Sequence, residues 1–152
     1  MSELKARLRD DLSIAMKARD EVTTATLRMA LTAITTEEVA GKRARVLSDA
    51  EVLAVLLREA KKRREAVDAF DAAGRVELAD RERAESAVLD RYLPTPLTGA
   101  ELADLVRAAI VDTGAGDPSQ LGQVMKVVQP RVAGRAGGTQ IVEEVKRQLS
   151  SG

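Results

Sequence analysis

The chain has almost nothing aromatic from which to build a core. Phe70 and Tyr92 are its only aromatic residues among 152, and tryptophan is absent. The interior must therefore be assembled from Leu, Val, Ile, Met and Ala. Strands favour aromatic and β-branched residues, whereas Ala, Leu and Met are among the best helix formers. With charged residues at 32% to occupy outward faces, this palette predicts packed amphipathic helices rather than a β-sandwich.

Apolar spacing and end signals divide the chain into seven helices. Leu4, Leu8, Leu12, Ala15 and Met16 mark the inner face of a first helix, about Glu3 to Arg19, capped by Ser2. A second, from near Asp20 to a C-terminal Gly41, buries Leu27, Leu31 and Ile34; its many threonines lower helix propensity, so packing must compensate. Ser48 and Glu51 form a capping box that opens a third helix, about Asp49 to Ala73, with Val52, Leu53, Leu56, Ala60, Val67 and Phe70 inward and Gly74 at its end. A fourth runs to about Leu93 and packs Ala84, Val88, Leu89 and Tyr92.

Leu93-Pro94-Thr95-Pro96-Leu97 then stops helix formation, because each proline restricts itself and the residue before it. This stretch predicts a hinge between a four-helix N-terminal domain, 1–93, and a small three-helix C-terminal domain, 94–152. Thr98 and Glu101 make another capping box, before a fifth helix carrying Leu102, Leu105, Val106, Ala109 and Ile110. Asp117-Pro118-Ser119-Gln120 starts a sixth helix, with Leu121, Val124, Met125 and Val128 inward and Pro130 expected to kink or shorten it. After Gly134–Gly138, a seventh carries Ile141, Val142, Val145 and Leu149.

Composition removes several kinds of chemistry. There is no cysteine and no histidine. A thiol nucleophile, a Ser-His-Asp triad and a His- or Cys-ligated zinc are excluded. Lysine plus arginine, 24, equal aspartate plus glutamate, 24, so the chain as a whole is not a basic nucleic-acid binder. The charged start MSELKARLRDD has no apolar signal segment, and no apolar run approaches a membrane span. A soluble cytoplasmic protein is expected.

The remaining motifs are weighed one by one. The pairs Asp10-Asp11, Glu37-Glu38 and Glu143-Glu144 diverge on a helix and read as solvated faces, so no catalytic or metal-binding residue is assigned. Lys61-Lys62-Arg63-Arg64 reads as a solvated face with ion pairs such as Arg64 with Asp68. Gly41-Lys42-Arg43 lacks the earlier glycine and the following Ser or Thr of a P-loop, and no strand precedes it; no nucleotide or other cofactor is expected. Gly134-Arg135-Ala136-Gly137 has the G-x-x-G spacing with which a KH domain clamps RNA, but no sheet accompanies it. Between Asp117 and Glu143 there is no acidic residue, while Lys126, Arg131 and Arg135 lie there. The free N–H groups opening the seventh helix add to that positive field. Lys126, Arg131, Gly134, Arg135, Gly137 and Gly138 are the candidate polyanion contacts; the alternative is that the glycines only turn the chain between two helices.

Three stretches together are more specific than any one. Leu56–Arg75 (LLREAKKRREAVDAFDAAGR), Leu89–Leu102 (LDRYLPTPLTGAEL) and Leu121–Leu149 (LGQVMKVVQPRVAGRAGGTQIVEEVKRQL) resemble the GatB/YqeY family in order and spacing, and the chain is similar to its stand-alone YqeY-like members. The resemblance implies a helical N-terminal domain and a small helical C-terminal domain. It also implies kinship with the mobile, tRNA-associated tail of the B subunit of glutamyl/aspartyl-tRNA amidotransferase. Stand-alone members carry the label of a carbon–nitrogen ligase with glutamine as amido donor, but nothing in this chain resembles the active sites of that enzyme. The partners implied are tRNA and a tRNA-processing or amidotransferase protein; the alternative is a helical protein–protein adaptor. One position departs from the family, which commonly has Gly-Arg-Ala-Asp-Gly: Gly137 stands in place of the aspartate.

Overall fold

Helix starts are where the sequence is most explicit, and the backbone follows them. In a computed structural model describing residues 1–151, the chain forms seven α-helices and one 3₁₀ turn, with no strand among the described residues. They are α1 (Glu3–Ala18), α2 (Glu21–Glu38), α3 (Asp49–Ala72), α4 (Val76–Asp90), α5 (Gly99–Thr113), the 3₁₀ turn (Pro118–Gln120), α6 (Leu121–Val132) and α7 (Gly138–Ser151). The all-α class is as expected. Ser2 caps α1, and Asp20 caps α2. Ser48 with Glu51, Thr98 with Glu101 and Asp117 with Gln120 all form reciprocal capping boxes. None of the helices is long and apolar enough to cross a membrane.

The elements gather into two units, Met1–Leu93 and the residues from Pro94 on. The first is built on Leu8, Leu27, Ile34, Val52, Leu56 and Leu89, with Tyr92 closing one end. Lys5 and Glu38, both largely covered, pair at 2.8 Å and tie α1 to α2. The Leu4 amide donates to Asp49 Oδ1 at 3.1 Å, so the start of α3 satisfies a free amide in the first turn of α1.

Several details differ from the sequence reading, each for a local reason. The second helix stops at Glu38 with Val39 as its C-cap, not at Gly41. The chain turns early because the Arg45 amide bonds the Glu38 carbonyl at 3.0 Å and Leu47 plugs into the core from the loop. α4 ends at Asp90, so Tyr92 and Leu93 lie in the turn that follows. Met16 is 50% exposed, and Ala84 is exposed while its neighbour Glu85 is buried.

The basic run is also redistributed. No Arg64–Asp68 pair forms among the described residues. Arg63 instead turns inward between α3 and α4, its side chain 11% exposed, with Glu59, Glu82 and Glu85 at 3.3–3.6 Å. Burial, then the neighbouring Glu82, push the Glu85 carboxyl up from its ordinary range.

The second unit is built on Leu102, Val106, Ala109, Val124, Val128, Val132, Ile141, Val145 and Leu149. These are i, i+4 and i, i+3 sets from three helices, which is why its inner face was readable from spacing. Pro130 does not stop α6 at once; the helix runs two residues further and ends at Val132. Gln148 reaches from α7 to the Ala103 carbonyl in α5 at 2.8 Å.

Tyr92 supplies a direct probe of the first unit. Its hydroxyl donates to Asp11 Oδ2 at 2.6 Å, and burial together with that carboxylate pushes its pKa up to about 12. A raised acid contributes stability that is complete below the ordinary value of 10 and is lost as pH rises toward 12. As the chain has one tyrosine and no tryptophan, tyrosinate absorbance should titrate near 12 in the folded protein and near 10 in denaturant. An identical midpoint in both states would show that Tyr92 is neither buried nor bonded to Asp11 in the folded protein.

Candidate nucleic-acid interface

The loop from Ala133 to Gly137 joins α6 to α7. Ala133 ends α6 in left-handed geometry with φ 51°, and Gly134 follows with φ 80°. Two successive positive φ values reverse the chain, and glycine tolerates the second without strain. Gly137 and Gly138 do not take positive φ, and a Cβ added to either meets nothing within 4 Å. Only one of the three glycines is therefore required by the turn. The Gly137 carbonyl accepts from Ile141 at 3.0 Å, which makes Gly137 the N-cap of α7, without a side chain to cap with.

The arginines have internal work. Arg135 donates its Nε to the Thr95 carbonyl at 2.7 Å, and its own carbonyl accepts from the Leu97 amide at 2.8 Å. It thus fastens the proline segment to the loop from both ends. Its guanidinium also lies 3.9 Å from Glu101. Arg131 donates to Asp112 at 2.6 Å, binding the last turn of α6 to α5. The segment is acid-free in sequence, but the fold brings Glu101 and Asp112 to its arginines. Lys126 is exposed and forms no ion pair among the described residues.

A groove of about 440 Å³ lies where α6 meets the start of α7, lined by Met125, Gln129, Gly138, Thr139, Val142, Glu143 and Lys146. Of the predicted residues only Gly138 lines it. Lys146 and Gln129 were not singled out from the sequence. The signal was there in part: Thr139, Val142, Glu143 and Lys146 follow i, i+3, i+4, i+7 spacing and share one helix face. The amides of Gly138, Thr139 and Gln140 precede the first intrahelical bond and remain available to an acceptor. On the other side of α7, Arg147 and Gln148 hold the Glu144 carboxyl down to about 2, Arg147 contributing most, so that carboxylate stays charged and engaged within the unit.

This geometry offers hydrogen-bond donors and the Lys146 charge to an anion, with the Glu143 carboxylate in the same groove opposing it. It assembles no nucleophile with a base. Without a strand among the described residues, the G-x-x-G loop also cannot serve as a KH clamp.

Comparison with known proteins settles the family. Residues 5–149 match the model of the Yqey-like protein family. The chain belongs to the YqeY-like family. An uncharacterized protein of Schizosaccharomyces pombe is 36% identical over 92 residues, which is 60% of this chain and 72% of that protein. The YqeY-like match runs from within α1 to within α7, so the α6–α7 loop and the proline segment it grips both fall within the shared region.

Gly137 is the YqeY-like position most open to test. Gly137→Asp should give α7 a capping carboxylate against its N-terminal dipole and raise stability by about 0.3–1 kcal/mol. The midpoint of chemical unfolding reports this; a drop instead would mean the loop needs glycine for a reason other than φ or space.

Proposed function

We propose that this YqeY-like protein is a cytoplasmic tRNA-binding or tRNA-amidotransferase accessory module, without catalytic activity of its own. The observation that carries the reading is family membership along nearly the whole chain, because the family resemblance relates it to the tRNA-associated tail of an amidotransferase. The second unit adds physical support: three available amides at the start of α7, Lys146 beside them and an unpaired Lys126. With two aromatic residues in the chain, base stacking contributes little and backbone readout dominates. Arg131 and Arg135 hold the unit together, so their removal mixes folding with binding. Lys126→Ala and Lys146→Ala are cleaner. Each should weaken tRNA binding alike across tRNA species and reduce the slope of log K against log salt by roughly 1. No gel shift with bulk tRNA at micromolar protein and low salt overturns the reading.

The adaptor reading draws on a different observation. Ile14 and Met16 of α1, Met29 of α2 and Val39 just past it are exposed, apolar side chains that a protein partner would cover. Recovery of one stoichiometric protein after ribonuclease treatment would favour it over RNA binding.

We also propose that the two units are separate domains hinged at Leu93–Leu97. Leu102→Ala should cost about 2–5 kcal/mol and collapse amide protection from Pro94 on, while protection in Met1–Leu93 persists. Loss of protection in both would show one cooperative domain.

A further inference from the structure

The first unit contains a cleft with charges of both signs that the RNA reading does not use. It has a volume of about 260 Å³ and is formed by α1, the start of α2 and the Arg91–Tyr92 turn. Its charges come in opposed pairs. Arg7 lies over the Tyr92 ring, 4.6 Å from its centre, and donates to the Arg91 carbonyl at 3.3 Å. Arg7 Nε is 3.9 Å from Asp11 Oδ2, which accepts the Tyr92 hydroxyl. The second oxygen of Asp11 has no hydrogen-bond partner among the described residues. Arg91 lines the cleft, is exposed and forms no ion pair among the described residues. Asp20 supplies the second negative charge while capping α2.

Two guanidiniums and two carboxylates leave the cleft neutral overall, with charges of both signs set in an otherwise largely apolar lining. A simple anion that reached the arginines would face both aspartates, and a simple cation would face both arginines. A molecule that carries both charges a few ångströms apart satisfies both pairs at once. Arg7 Nε and Asp11 Oδ2 stand 3.9 Å apart, so one small molecule can reach both side chains at once. Beside the poles, Ile14, Ala15 and Ala18 form an apolar wall, and Ile14 is 64% exposed with nothing of the chain covering it. The cleft is smaller than the roughly 300–1,000 Å³ typical of sites for drug-sized ligands.

We propose that this cleft binds a free α-amino acid with a small or aliphatic side chain: its carboxylate on Arg91 and Arg7, its ammonium on the open Asp11 oxygen, and its side chain on the Ile14 wall. The inference stands independently of tRNA binding. It also gives a role to Arg91 and Tyr92, which lie in the Leu89–Leu102 stretch that carries the family resemblance.

Tyr92, the sole tyrosine, reports binding directly. The full chain would be titrated with glycine, alanine, valine, leucine and glutamate to about 10 mM, following tyrosine fluorescence and calorimetric heat. Acetate and methylammonium at equal ionic strength test each charge alone. Alanine, valine or leucine should saturate the signal, and each single-charge probe should bind about tenfold more weakly or worse. Arg91→Ala, an exposed residue whose loss leaves the core untouched, should weaken binding about tenfold, as should Asp11→Asn, which can still accept the tyrosine hydroxyl. Arg43→Ala, on the loop after α2, should change nothing. Absence of saturable binding, equal binding of acetate, or an unchanged affinity in Arg91→Ala overturns the proposal.

Discussion

Every helix in this protein is held by aliphatic contact, because the chain has neither aromatic bulk nor disulfides to substitute for it. Each buried methylene contributes about 0.8 kcal/mol, so stability accumulates only if many small side chains are buried on long continuous stripes. Helices provide such stripes: α3 alone buries Val52, Val55, Leu56 and Ala60. The same constraint explains the capping. Helices without large anchoring side chains gain from fixed ends, and three of the elements start with a reciprocal box.

An aliphatic interior also decides where charges can be tolerated. Arg63 sits among three carboxylates between α3 and α4, and Tyr92, part of the first unit's core, reaches Asp11. Buried ions are stabilised by mutual pairing against a desolvation cost of several kcal/mol each. Removing Arg63 would leave Glu59, Glu82 and Glu85 without their shared counter-charge. The Lys61–Arg64 run reads in sequence as four equivalent surface cations; packing sorts Arg63 from its neighbours.

The candidate interface shows the same sorting. Arg135 and Arg131 stand in a stretch free of acids, and linear sequence makes them the natural polyanion contacts. In three dimensions they meet the Thr95 carbonyl, Glu101 and Asp112. Those partners lie far away in sequence and their distance carried no signal. Lys126 stands as an unpaired charge among the described residues, and Lys146 joins the groove by helical periodicity.

Local information was sufficient for the all-α class, the start of nearly every helix and the inner faces of α5, α6 and α7. Caps and 3.6-residue spacing act within one or two turns, so the residues that decide them are adjacent in the chain. Helix ends were harder to read: Glu38 rather than Gly41 ends α2 because Arg45 and Leu47 return from beyond it. Which arginine is buried, which loop leucine enters the core, and which cations remain free were decided by tertiary packing alone. Those outcomes depend on groups 19 to 84 residues apart being brought within a few ångströms, and no periodic signal in a single stretch encodes that meeting.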